Sequence, residues 1–317
     1  IDGLRRVFGG GSRETWLFTL YERVDGEDFA HALVLRRDPG VSLIETTRRI
    51  EVAALALFAD SEVPVPRTWW LEEDPSVLGA PFMVMEAIVG CEAGPLKLMG
   101  APFAAHHARI ADQKWRLLGA IARTDPGPLQ DLTGPVTVHD AWRRQLDHWR
   151  DVVARQASEP QPVAAAAIRW LAAHPPAPAQ RLSVVHGDYR TGNLLVSPDG
   201  EIRAVLDWEM AHAGDPLEDL AWSLGLVWCF QRDDRVGGLV PRERAIAIWQ
   251  AASGLAADPQ ALHWWELFNA VKGQAIWLGA ARAFEDGGRR DLLLAYAAWA
   301  LANSQDRAIL QLMGKLR

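Results

Sequence analysis

Apolar and polar positions alternate with a period of two through most of the first ninety residues. LRRVF, TWLFTLYER and HALVLRR therefore predict three strands, joined by short polar or glycine-bearing connections. From Ser42 to Asp60 the period lengthens. Ile50, Ala54 and Leu57 recur at helical spacing, which predicts one helix inserted among the strands. SEVPVPRTWW is a proline-punctuated turn into a further strand, LEEDPSVLG reads as a hairpin, and PFMVMEAI is an apolar strand. After Gly90 the helical period takes over in AAHHARIADQKWRLLGAIARTD, HDAWRRQLDHWRDVVARQ and AAAAIRWLAAH, until the break HPPAPAQ. Two short strands follow, around SVVHGD and NLLVSPDGEIRAVLDW, with Asp199-Gly200 as a hairpin turn. From about Pro216 the chain reads as helical to its end, and Pro241 marks a helix start. The prediction is an α+β, bilobal chain. Residues 1–88 form a small β-rich lobe with one helix, residues 89–317 a large mainly helical lobe, and the linker lies near 86–92.

Composition narrows the possibilities. The 317 residues are 49% hydrophobic, enough for a large buried core. With a net charge of -7 the chain lacks the general basic surface that binds nucleic acid. No run of 18 apolar residues predicts a membrane span, and no signal peptide is visible after Ile1. Cys91 and Cys229 have no metal-ligand spacing and are too few for a disulfide scaffold. Both are expected as buried thiols in a reducing cytoplasm. Most of the fifteen tryptophans fall in the helical stretches, where indoles pack between helices or line an apolar pocket.

Candidate chemistry concentrates in VVHGDYRTGNLLV and AVLDWE. Asn193 lies five positions after Asp188, and Asp207 ends a second apolar strand nineteen positions after it. Phosphoryl transfer needs one carboxylate to orient a hydroxyl and accept its proton. It also needs an amide oxygen and a second carboxylate to hold magnesium on the nucleotide phosphates. Asp188 fits the first role, Asn193 and Asp207 the second. Upstream, FGGGSRETW carries Gly9, Gly10 and Gly11, which let backbone approach phosphates, and Ser12, which can donate a hydrogen bond. No GK[ST] follows, so this is not a Walker A loop.

The block HGDYRTGN, the segment Asp207-Trp208-Glu209 and the following GDPLEDLAW resemble the aminoglycoside phosphotransferase and choline kinase group, which has the protein-kinase-like fold. HALVLRRDPG, VPVPRTWWLEED and VLGAPFMVMEAIVG resemble most the branch of kinase-like domains fused to acyl-CoA dehydrogenases. The resemblance covers most of residues 1–225. It implies a kinase that uses ATP and Mg2+ to phosphorylate a hydroxyl of a small molecule, and it implies further site residues. The third strand should carry a cation for the α- and β-phosphates. Lysine is usual there; this chain has Arg36 and Arg37, on opposite faces of the strand. Arg36 matches the family segment, and arginine can bind phosphate bidentately. Its anionic partner would be Glu51, or Glu45 earlier on the same helix. Adenine would sit at the strand leading to the linker, with the Glu86 carbonyl, the Ile88 amide and Met85 around it.

Other residues keep two readings. Arg190 can contact the γ-phosphate or an anionic substrate group, or brace Glu209 or Asp215. Glu209 can face phosphate or substrate. His186 is expected to brace the loop, and Asp215 and Asp219 to anchor the helix that follows. His106 and His107 have no metal-ligand grouping. A cationic aminoglycoside would need a carboxylate cluster, for which Glu209, Glu218, Glu266, Glu285 and Asp286 are the candidates. Trp222, Trp228, Trp264, Trp265 and Trp277 suggest instead an apolar or aromatic acceptor, and the resemblance suggests a hydroxyacyl thioester or similar metabolite. The alternatives are an aminoglycoside or macrolide resistance kinase, and a pseudokinase. No APE-like segment follows Asp207, so a peptide platform is not expected.

Overall fold

The computed structural model describes residues 1–7, 14–38, 46–229, 235–286 and 292–316, with backbone only at 293, 294 and 297. Gly9, Gly10, Gly11, Ser12 and Glu45 lie outside the described residues. Strands β1 (Asp2–Val7), β2 (Glu14–Val24) and β3 (Glu27–Arg37) form an antiparallel meander. The β2–β3 turn is Asp25-Gly26, both with positive φ, which is what a two-residue hairpin of matching twist requires. Helix α1 (Arg48–Phe58) follows, then β4 (Thr68–Glu72), α2 (Pro75–Leu78) and β5 (Phe82–Glu86). The sheet order is β1-β2-β3-β5-β4.

Two local expectations change. The inserted helix begins at Arg48, and Ser42 lies outside the described residues. Thr47 is extended, and the Thr46 hydroxyl donates to the Glu209 carbonyl (2.6 Å), which ties this segment to the other lobe. LEEDPSVLG does join two antiparallel strands, but through the helical turn α2. The Asp74 carboxylate caps that turn at Ser76 N (2.8 Å), Pro75 begins it and Gly79 ends it in the left-handed region.

The second lobe opens with α3 (Pro95–Leu98), α4 (His107–Ile121), α5 (Gly127–Thr133), α6 (Ala141–Gln156) and α7 (Pro162–Ala173). Four short strands interrupt the helices: β6 (Ser183–Val185), β7 (Leu194–Val196), β8 (Ile202–Val205) and β9 (His212–Gly214). β7 pairs with β8 across the Asp199-Gly200 turn, and β6 pairs with β9. These two ladders set the loop 186–193 beside the loop 206–211. The chain continues through α8 (Leu217–Leu224), the hairpin β10 (Arg235–Val236) and β11 (Val240–Pro241), then α9 (Arg242–Ser253), α10 (Pro259–Glu285), α11 (Leu292–Tyr296) and α12 (Ala302–Leu312). No helix among the described residues is long and apolar enough to cross a membrane.

The long helix α10 runs through the middle of the large lobe. Trp264 and Trp265 on it are fully buried, and Trp264 stacks parallel to Phe268. They belong to the core, so the expectation that they line an acceptor pocket does not hold. One turn further on, Lys272 is buried too. It donates to the Gly187 carbonyl (2.7 Å) and to Glu218 on α8 (3.0 Å), and His212 contacts the other Glu218 oxygen (3.1 Å). Burial alone would raise the Glu218 carboxyl, but Lys272 and His212 outweigh it and hold it at about 2.

Removing one partner of a buried pair strands the other charge. Lys272→Met should therefore destabilise the fold by about 3–5 kcal/mol in urea unfolding. A loss below about 1 kcal/mol would mean the pair carries little. Because Glu218 is depressed from an ordinary 4.5, its contribution is complete above that pH and is lost as the pH falls toward 2. The unfolding free energy of Glu218→Gln should lack this part of the acid sensitivity; parallel curves for the two proteins would contradict the assignment.

Candidate active site

The loop after β6 is fixed before any side-chain chemistry is considered. Asp219, in the first turn of α8, accepts the N–H groups of His186 (2.6 Å) and Gly187 (2.9 Å). Gly187 has φ of +85°, and a Cβ there would lie 2.6 Å from the Met210 carbonyl oxygen, so only glycine fits. The His186 Nδ1 accepts from the Asp188 N–H (3.1 Å) and its Nε2 donates to the Leu206 carbonyl (2.9 Å). The imidazole ties one loop to the other, the bracing role expected of it. Asp215 does anchor α8: it accepts from Leu217 N (2.9 Å) and from the Trp265 indole (3.0 Å), and burial pushes its carboxyl up to about 6. Asp219 instead grips the loop, which its sequence position did not reveal.

The Asp188 carboxylate sits on this frame. Oδ1 accepts from the Trp222 indole N–H (2.8 Å), Oδ2 from the Asn193 amide (2.7 Å), and Arg190 Nε lies 3.1 Å from both oxygens. Asn193 also donates to the Asp188 carbonyl (2.9 Å), which turns its side-chain nitrogen inward and leaves its oxygen as the group able to meet a cation. Arg190 pairs with Asp188, and its guanidinium lies over the Trp228 ring (5.1 Å).

Asp207 follows β8 in the left-handed region (φ 63°, ψ 54°), a conformation few non-glycine residues adopt and one that concentrates at functional sites. Its side chain is 39% exposed, unlike the buried groups around it. Arg36 crosses from β3 to meet it: one guanidinium nitrogen donates to Asp207 (2.6 Å), another to Glu51 on α1. Glu209 lies 3.9 Å from the same guanidinium and is itself buried. Enclosure works against the Asp207 charge, but Arg36 and Arg190 more than offset it and hold the carboxyl below its ordinary value. Burial works against the Arg36 charge as well; Glu51, Asp207 and Glu209 outweigh it. Arg37 points to the other face, where it pairs with Glu14 (2.8 Å). Glu51 also bonds Arg48, which pairs with Asp38 (2.7 Å).

The β3–β5 ladder sets Met83 opposite Arg36 and Met85 opposite Val34, so Met85 lies on the Arg36 face of the sheet, buried in the core. Glu86 closes β5, its N–H bonded to the Arg67 carbonyl (2.8 Å), Ala87 bonds Ala32 (2.9 Å), and Ile88 lies just beyond the strand. Arg36, Glu51, Asp188, Arg190, Asn193, Asp207 and Glu209 thus come together, with the strand exit of Met85, Glu86 and Ile88 on the same sheet. The donor set fits magnesium: Asp207 and Asn193 supply hard oxygens, and magnesium takes only one or two protein groups beside phosphate and water. Among the described residues no cluster of three or more His, Cys, Asp or Glu forms an all-protein cage.

Known proteins resemble this chain in sequence and in fold. Acyl-CoA dehydrogenase family member 10 of Mus musculus is 32% identical over 219 residues, covering 68% of this chain and 19% of that protein. The chain spans about a fifth to a third of the length of the curated relatives it matches. A crystal structure of a Ralstonia eutropha protein, provisionally described as an aminoglycoside phosphotransferase, superimposes with a TM-score of 0.73 at 23% identity, covering 99% of this chain and 93% of that one. A thermostable mutant of an aminoglycoside phosphotransferase, solved with ADP and hygromycin B, gives a TM-score of 0.61 at 17% identity over 98% and 94% of the two chains. At these identities the two structures establish the bilobal kinase-like fold. The sequence pattern of the phosphotransferase enzyme family matches residues 5–265, and the chain belongs to that family.

Proposed function

We propose that this chain transfers the γ-phosphoryl group of ATP to a hydroxyl of a small molecule, with a hydroxyacyl thioester as the acceptor class. What carries the reading is the convergence of a braced carboxylate, Asp188, with a cleft-exposed one, Asp207, beside the Arg36–Glu51 pair. The acceptor oxygen bonds to the γ-phosphorus as the bond from phosphorus to the bridging oxygen breaks and ADP leaves with the electron pair. The acceptor's proton passes to Asp188. Arg36 would hold the upstream phosphates while Glu51 fixes its direction, and Arg190 is placed to meet the transferred group or an anionic part of the acceptor. Asn193 and Asp207 would hold magnesium, which when bound supplies positive charge against the phosphate oxygens. Gly9, Gly10, Gly11 and Ser12 remain proposed phosphate contacts, and Met85, Glu86 and Ile88 the proposed adenine edge.

The acceptor class rests on charge. Of the carboxylates that a polycation would need, Glu218 is buried on Lys272, Glu209 is buried near Arg36, Glu266 pairs with Arg242 and Asp286 with Arg282, while Glu285 is exposed at the end of α10. Asp188 is instead bonded by Arg190, Asn193 and Trp222, with the buried Trp228 ring against Arg190. A cation beside the reacting carboxylate suits an acceptor with an anionic body, and the dehydrogenase name of the relatives suggests an acyl thioester. The thiols of Cys91 and Cys229, partly rather than fully buried, fit the cytoplasmic location we propose.

ADP release should be measured with purified protein, ATP and magnesium across hydroxyacyl-CoA thioesters, amino alcohols, aminoglycosides and macrolides. Turnover should be highest with a thioester, and Asp188→Ala or Asp207→Ala should lower it by about 10²–10⁴-fold with the fold intact. Near-normal turnover in either variant would sink the phosphotransfer reading. Turnover with antibiotics alone would sink the acceptor class.

A further inference from the structure

We infer that Trp222 is a positioning residue for this reaction: its indole N–H fixes the Asp188 carboxylate in the orientation from which it receives the acceptor's proton. The inference rests on the reading of Asp188 as the proton acceptor.

The terminal torsion of an aspartate is soft, so a carboxylate without fixed partners swings through a broad range. Here each oxygen has its own donor from a different element: Asn193 from the loop holds Oδ2 (2.7 Å), and Trp222 from α8 holds Oδ1 (2.8 Å). The two together fix the plane of the carboxylate. Arg190 Nε, 3.1 Å from both oxygens, takes up the remaining lone pairs in this structure, so the acceptor's hydroxyl has to displace it to reach the carboxylate.

Trp222 suits this task for three reasons. It is almost fully buried, with the Lys272 ammonium 5.0 Å above its ring and Trp228 packed at 5.2 Å, so the donor itself does not wander. An indole N–H donates only, so unlike a hydroxyl it cannot compete for the proton that Asp188 must take. It also sits three residues after Asp219, on the same face of α8. One helix face thereby holds the backbone of the loop through Asp219 and the reacting carboxylate through Trp222.

The test replaces Trp222 by phenylalanine and, by nonsense suppression, by benzothienylalanine, which keeps the bicyclic shape but has sulfur in place of the N–H. ADP release is followed from ATP and magnesium with 3-hydroxybutyryl-CoA as acceptor and with water alone. Both variants should lose about tenfold or more in kcat while KM for ATP stays within roughly twofold of wild type. The benzothienyl variant guards against a phenylalanine variant that fails to fold. If it keeps the wild-type kcat, Trp222 only packs and the inference is overturned. If wild-type ADP release is no higher than that of Asp188→Ala with either acceptor, the phosphotransferase reading itself falls, and this inference with it.

Discussion

Arg36 reaches from β3 to Glu51 on α1 and to Asp207 beyond β8, so one guanidinium joins three segments and both lobes. A lysine ammonium is a point charge on a flexible stem. The arginine fork presents several donors in fixed directions, which allows two carboxylates to be held at once. Around this contact the lobes also meet through the Phe58–Trp208 rings (4.6 Å), the Val205 N–H to Pro64 carbonyl bond (2.8 Å) and Thr46 on Glu209. The cleft that would take a nucleotide is therefore built from residues that hold its two walls together.

The second constraint is the grip of α8 and α10 on the loop 186–193. Asp219 takes two backbone N–H groups, Lys272 the Gly187 carbonyl, and His186 joins the loop to Leu206. These groups are buried and polar, an arrangement that is stable only when each has its partner. Their common result is a loop with little freedom, on which Asp188 and Asn193 are set at a fixed separation. Positioning and electrostatics are the main means by which phosphoryl transfer is accelerated, so rigidity here bears directly on function.

Much of this was legible in the sequence, and the part that was not has a common physical cause. Asp188, Asn193 and Asp207 stood out because short apolar strands flank them at fixed spacing. Strand alternation separated Arg36 from Arg37, and the structure puts only Arg36 on Glu51 and Asp207. Asp219, Lys272 and Trp222 meet the loop across 32, 85 and 34 positions of sequence, and within a helix nothing local distinguishes them from ordinary core or surface residues. The tryptophans show the same limit. Trp265 and Trp228 look alike in sequence and both are buried, yet one holds Asp215 and the other lies against Arg190. Strand β9 is three residues long, too short for a period to register, and Thr46, before the extended Thr47, is held by a contact to the other lobe.

A crystal structure with magnesium and AMP-PNP tests this site assignment most directly. The metal should rest on Asn193 Oδ1 and the Asp207 carboxylate, with Arg36 on the phosphates and still bonded to Glu51. A nucleotide bound away from this cleft, or a metal held by other side chains, would contradict it.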